Sequence, residues 1–181
     1  MSRISIPTLE SVPAASKPLL DGVYKKLGVV PNMFRLIALS PAALEGFLGL
    51  NGALSRTLDV RTRERIAIAV AERNGCDYCL SAHTYLGLNL AKVTAEDATL
   101  AREGSSTDAK AAAAVRFAVQ IVKTRGGVGD ADIAAVKAAG FGEAQIVEII
   151  GLVAENVFTN LLNRVAQTDI DFPILHTGLA A

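Results

Sequence analysis

The 181-residue sequence predicts an all-α fold, on three observations. Apolar residues recur at intervals of three and four through most of the chain, and no segment alternates cleanly at period two. Capping residues and glycines mark helix starts and stops at short intervals. The stretch 107–124 is rich in alanine, the strongest helix former.

The elements follow in order. Residues 16–27 place Leu19, Leu20, Val23, Tyr24 and Leu27 on one side, and Gly28 can end that helix. Pro31 opens a short helix reaching Leu39. Ser40 and Pro41 form an N-cap followed by proline at the first helical position, for a helix to about Ser55. Thr62 is the candidate cap of the helix carrying Glu64, which Asn74-Gly75 ends. Another helix starts near Cys76 and stops around Gly87. Thr94 with Asp97 resembles a capping box, with Asp where Glu or Gln is usual, before a helix to about Glu103. The alanine-rich helix at 107–124, a glycine loop at 126–129, a helix at 131–139 capped by Asp130, and a long helix from Gly142 to about Gln167 complete the core. The tail contains Pro173 and reads as irregular. No linker divides the chain, so the expectation is one helical domain over 1–181, with a core at about 16–167 and an irregular tail at 168–181.

Lys+Arg and Asp+Glu balance at 18 each, giving a formal net charge of zero. No basic field invites nucleic acid and no basic amphipathic face invites a membrane. The first residues lack the apolar run of a signal peptide. The apolar stretch 146–157 is broken by Glu148 and Glu155, too short and too charged to span a bilayer. These features predict a soluble, cytoplasmic protein without nucleic-acid or membrane partners. Hydrophobic content of 51% with zero net charge favours a homo-oligomer.

Both cysteines and one of two histidines fall within eight residues: Cys76, Cys79 and His83. On a helix, residues three and four apart share a face, so the three project from one stripe. A thiol is a poor nucleophile until deprotonated, and a nearby imidazole can take its proton. Cys76 lies nearer the helix N-terminus, which favours its thiolate; Cys79 lies four residues from His83, which favours base activation. Two cysteines could instead be small core residues. A zinc site has three candidate ligands and lacks an evident fourth, since His176 sits in the tail with no evident partner. A thioredoxin-like site would follow a strand, and this one follows a helix. Glu64 shares its helical face with Ala67, Ile68 and Ala71, so it should be at least partly buried. Either Arg61, Arg63 or Arg65 pairs with it, or a hairpin between the two helices brings it to His83. Asn156, Asn160 and Asn163 form a polar stripe that could line a site, though it reads first as a solvated or interface face. Tyr78 reads as packing, with a hydroxyl free to meet a bound oxygen.

The pattern Glu64-x11-Cys76-x2-Cys79-x3-His83 resembles the signature of the alkyl hydroperoxidase D group, within the carboxymuconolactone decarboxylase-like superfamily. Val30-Pro31-Asn32-Met33-Phe34 and Asn163-Arg164-Val165-Ala166 resemble its peroxidase-related branch. The resemblance implies an all-α fold assembling as trimers or hexamers. It also implies reduction of small organic hydroperoxides without haem, flavin, metal or other cofactor. By the same resemblance, Cys79 attacks the peroxide, Cys76 resolves the sulfenic acid as a disulfide, and His83 and Glu64 relay the activating proton. A lipoyl-bearing or thioredoxin-like dithiol reductant resets the pair. The founding type carries a histidine just before its second cysteine, where this chain has Tyr78, so one proton carrier is missing. The decarboxylase branch generally lacks the cysteine pair, which disfavours lactone decarboxylation. Two alternatives stay open: a general dithiol-disulfide oxidoreductase or redox sensor, and a non-catalytic helical oligomeric binding module.

Overall fold

The computed structural model describes residues 2–178, and among these every regular element is helical. A short 3-10 turn at Ala14–Ser16 leads into α1 (Lys17–Leu27), followed by α2 (Asn32–Ile37), α3 (Pro41–Leu54), α4 (Val60–Arg73) and α5 (Asp77–Leu86). A wide π-type turn at Gly87–Ala91 extends α5. Then come α6 (Ala95–Glu103), α7 (Ala109–Thr124), α8 (Asp130–Ala138) and α9 (Glu143–Ala166).

Most caps act where the sequence places them. Ser40 accepts from the Ala43 amide at 3.3 Å, and Gly28 ends α1 in the left-handed conformation. Three starts differ by a residue or more, each because an acidic side chain takes over. Asp59 caps α4 by accepting from the Thr62 amide at 3.0 Å, so Thr62 is inside the helix. Asp108 caps α7, accepting from Ala111 at 2.7 Å. Gly129, not Asp130, is the N-cap of α8, and its amide donates to the Asp132 carboxylate at 2.9 Å. Thr94 does accept from the Asp97 amide, but the Asp97 carboxylate does not return to complete the box. It instead binds Arg65, Ser106 and Thr107, which ties α6 to α4 and to the start of α7.

α4 is the central helix. It packs against α5, α6, α7 and α9, and Ile66, Ile68 and Val70 have no exposed surface. A helix buried on all sides reads as apolar all round, as 66–71 does. One apolar cluster joins Ile66 and Val70 to Val115, Ile149 and Leu152; a second joins Ile68 to both cysteines, Leu80 and Ala101. A third, of Leu20, Ile37, Leu44 and Phe47, caps one end of the bundle. α3 approaches α9 closely at Gly151, where an added Cβ would lie 3.3 Å from a Leu54 methyl.

The tail has no helix or strand over 168–178, as expected, yet it is docked rather than loose. The Leu175 amide donates to Ser81, the Thr177 amide to Asp77, and the Gly178 amide to Glu72. His176 pairs with Asp77 at 2.8 Å, so the expectation that it lacks a partner is corrected: Asp77 arrives from the first turn of α5. Residues 179–181 of the predicted tail lie outside the described residues.

α9 is long and apolar enough to cross a membrane by length and composition. Its inner face carries Glu155, Asn156, Asn160 and Asn163 into the bundle, a polar load that hydrocarbon would penalise.

Candidate active site

Cys76 is placed by the end of α4. Asn74 terminates the helix, Gly75 turns with φ 65°, and the Cys76 amide donates back to the Ala71 carbonyl at 3.0 Å. Cys76 is therefore the N-cap of α5. Its Sγ takes the position usually held by a hydroxyl or carboxylate, accepting from the Cys79 amide at 3.4 Å. Cys79 follows in the first turn. Both cysteines are free and nearly fully buried.

The Cys79 sulfur has partners from α9. Asn163 Nδ2 donates to it at 3.3 Å, and Thr159 Oγ1 lies 3.9 Å away. The Cys76 thiol donates to Cys79 and, against the penalty of burial, holds the Cys79 pKa well below the ordinary thiol range; the charge of His83 and the amides of Asn163 and Asn160 assist. Cys76 moves the other way, because giving up its proton would lose that hydrogen bond and because it is buried. The pair is thus polarised, its surroundings favouring the thiolate at Cys79 and the thiol at Cys76.

α4 and α5 fold back as a hairpin, bringing His83 Nδ1 to Glu64 Oε2 at 2.9 Å. Of the two partners considered for Glu64, the histidine has it. Burial alone would pull His83 down, but the Glu64 charge and hydrogen bond outweigh it and raise its pKa. Among the described residues no group of three acidic, histidine or cysteine side chains is arranged to hold a metal ion.

These groups open onto a cavity of about 410 Å³ between α1, α2, α3, α5 and α9. Leu19, Val23, Phe34, Phe47, Leu86 and Phe172 supply apolar wall; Cys79, His83, Glu64, Asn51, Glu155 and Thr159 supply its polar part. A small apolar molecule carrying one reactive polar group fits that division. The Tyr78 hydroxyl is committed elsewhere, donating to Asp171 at 2.8 Å and accepting from the Met33 amide at 3.1 Å. It ties the tail to α2 and α5 and is not directed at a bound oxygen.

The asparagine stripe is corrected. Asn156, Asn160 and Asn163 are 6%, 0% and 3% exposed, neither a solvated nor an interface face, because α9 turns that side onto the dithiol. Glu155 and Asn51 escaped sequence reasoning. The available signal for Glu155 was a carboxylate adjoining a row of amides on an otherwise apolar helix.

A helical bundle with a polarised dithiol at a helix start, a carboxylate–imidazole pair beside it and an apolar cavity over it defines a class of helical dithiol proteins. Residues 41–124, spanning α3 to α7 with both cysteines, His83 and Glu64, match the carboxymuconolactone decarboxylase family. No curated protein matches the chain by sequence. Solved structures share its fold. An uncharacterised peroxidase-related protein with an alkylhydroperoxidase core from Ralstonia eutropha JMP134 superposes with a TM-score of 0.82, at 24% identity over 94% of this chain and 92% of the other. A peroxidase-related protein from Silicibacter sp. TM1040 gives 0.80, at 22% identity over 93% and 91%. A cysteine-to-alanine variant of the debrominase Bmp8, bound to 2,3,4-tribromopyrrole, gives 0.75, at 20% identity over 93% and 94%. The match to the carboxymuconolactone decarboxylase family thus covers the site-bearing part of the chain, and the fold of the peroxidase-related structures extends over nearly all of it.

Proposed function

We propose that this protein is a thiol peroxidase that reduces small organic hydroperoxides with Cys79 and Cys76. The observation that carries the reading is the placement of the pair: the Cys79 sulfur lies in the wall of an apolar cavity, accepts from Asn163 at 3.3 Å and stands one helical turn from Cys76, surroundings that favour a thiolate at Cys79 and a thiol at Cys76. His83, whose charged form the Glu64 contact favours, takes the proton that Cys79 gives up. Cys79 attacks the terminal peroxide oxygen, the O–O bond breaks, and the sulfur becomes a sulfenic acid while the alcohol leaves. Cys76 then attacks the Cys79 sulfur, releasing water and forming a disulfide. A dithiol reductant, lipoyl-bearing or thioredoxin-like, restores both thiols. No cofactor or metal enters these steps.

The cavity's aromatic wall also suits a flat ring, and a debrominase shares the fold, so a halogenated pyrrole is the competing substrate to assay. Steady-state turnover of cumene hydroperoxide with lipoyl and thioredoxin-type reductants tests the reading, with mass spectrometry after one equivalent of peroxide. The expected result is turnover and a loss of two hydrogens from the Cys76–Cys79 peptide. In Glu64→Gln, turnover should fall by about 10- to 1000-fold with the fold intact. Turnover with both thiols persistently free would sink the mechanism. Reduction of disulfides but not peroxides would leave a general oxidoreductase, and inertness towards both would leave a binding module.

A further inference from the structure

The peroxidase reading leaves one proton transfer without an assigned donor, the one to the departing alkoxide. His83 is poorly suited to that transfer. The ion pair with Glu64 stabilises its charged form, and that charge helps to keep Cys79 ionised. A second carboxyl lines the same cavity. Glu155, on α9, is 7% exposed and lies one turn before Thr159, whose hydroxyl is 3.9 Å from the Cys79 sulfur. Residues four apart on a helix are neighbours on one face, so Glu155 stands over the sulfur's side of the cavity. Oε1 accepts from Asn51 Nδ2 of α3 at 2.6 Å. Oε2 is buried and has no hydrogen-bond partner.

We propose that Glu155 is the general acid of this site, protonating the leaving oxygen of the bound hydroperoxide from Oε2. This rests on the peroxidase reading and divides proton handling between two carriers. Glu64 and His83 serve the thiol, and Glu155 serves the leaving group. The step balances: the Cys79 thiolate, the hydroperoxide and the Glu155 carboxylic acid become the Cys79 sulfenic acid, the alcohol and the Glu155 carboxylate. The sulfur loses two electrons and the O–O bond gains them.

The surroundings favour the acid form at rest. An ionised carboxylate would leave a buried, unpartnered charged oxygen, whereas a protonated one has a hydrogen to offer a guest. Burial raises the Glu155 pKa, and the Glu64 charge on α4 adds to this. The Asn51 hydrogen bond and the charges of His83 on α5 and Arg63 on α4 oppose the rise without cancelling it.

Glu155→Gln keeps the size and the Asn51 contact but has no acidic proton. The rate of Cys79 oxidation in this variant is compared for tert-butyl hydroperoxide, which expels a basic alkoxide, and peracetic acid, which expels a stable carboxylate needing no proton. The expected result is a loss of about 10²- to 10⁴-fold with the first oxidant, little change with the second, and removal of the alkaline limb of kcat/KM against pH. Iodoacetamide alkylation of Cys79 should proceed at the unmodified protein's rate, which also reports that the variant is folded. If alkylation shows that Glu155→Gln misfolds, Glu155→Asp carries the same comparison with an acid of shorter reach. Equal losses with both oxidants, or none with either, would overturn the role of Glu155 while leaving the peroxidase reading standing. Failure of the unmodified protein to react with either oxidant would overturn both.

Discussion

At the residue scale the proposed chemistry depends on how one buried sulfur would be held as an anion. Asn163 matters because its amide donates directly to Cys79 Sγ at 3.3 Å from a position 3% exposed. A hydrogen bond to a charged group contributes about 1.5–3 kcal/mol, and each pKa unit corresponds to about 1.4 kcal/mol. Asn163→Ala should therefore raise the Cys79 pKa by about one unit and carry the acid limb of its alkylation profile to higher pH. With Cys79 titrating at about 6, alkylation at pH 6 should slow by roughly 5-fold; by pH 9, above the ordinary thiol value of about 8.5, the two proteins should converge. A profile superimposable on that of the unmodified protein would exclude this contact as the source of the shift. Of the site, Cys76, Cys79, His83 and the approach of Glu64 to His83 were legible in the sequence, because all four lie on two consecutive helices where local periodicity fixes direction. Asn163, Asn160 and Glu155 were not. They come from a helix some eighty residues later, and a polar stripe looks the same whether it faces water or a dithiol.

At the scale of elements, helix existence and order were readable because capping and spacing are local, and errors fell on starts where Asp59 and Asp108 outcompete nearby hydroxyls as caps. Asp97 departs furthest from local logic. Its carboxylate leaves the Thr94 cap to hold Arg65, the Thr107 amide and two hydroxyls, a long-range choice that spacing does not encode. Burial opposes its ionisation, but the Thr107 amide, Arg65 and the hydroxyls win and bring its pKa down to about 2. The unfolded value is about 3.9, and a difference of that size is worth about 2.6 kcal/mol. The folded pKa is the lower one, so this stability is present above about pH 4 and is lost as pH falls towards 2. Acid unfolding monitored by circular dichroism should accordingly lose its steepest segment in Asp97→Asn, which should also be less stable at pH 7 by about 3 kcal/mol because buried Arg65 loses its hydrogen-bonded carboxylate and keeps only the more distant charge of Asp59. Equal stability of the two proteins at pH 7 would refute this reading of the cluster.

At the scale of the whole molecule, the two faces of α9 make opposite demands. The inner face delivers Glu155, Asn156, Asn160 and Asn163 to the site and so must stay packed. The outer face leaves Val147, Ile150, Phe158, Leu161 and Val165 between 41% and 67% exposed. From 147 to 165 that stripe runs about 27 Å along the helix, at 1.5 Å per residue. An apolar row of this length on a chain of zero net charge is poorly suited to water. A second copy is the partner that carries the same row, and two α9 helices related by a two-fold axis would cover each other, residue against reciprocal residue. We therefore propose a homo-oligomer; of the trimer and hexamer implied by the family resemblance, a hexamer of two stacked trimers contains such two-fold axes and is the form in which α9 would pair this way. The interface would brace the helix that presents Asn163 to Cys79, so assembly and catalysis should be coupled. Leu161→Glu with Val165→Glu places two charges on the outer stripe without touching the cavity wall. In light scattering at micromolar concentration, the unmodified protein should exceed the mass of one chain and the double variant should approach it. The variant should keep its helical circular dichroism, and its peroxide turnover should fall as α9 loses its brace. A clean monomer for the unmodified protein would refute the interface, and a monomeric double variant with full turnover would refute the coupling.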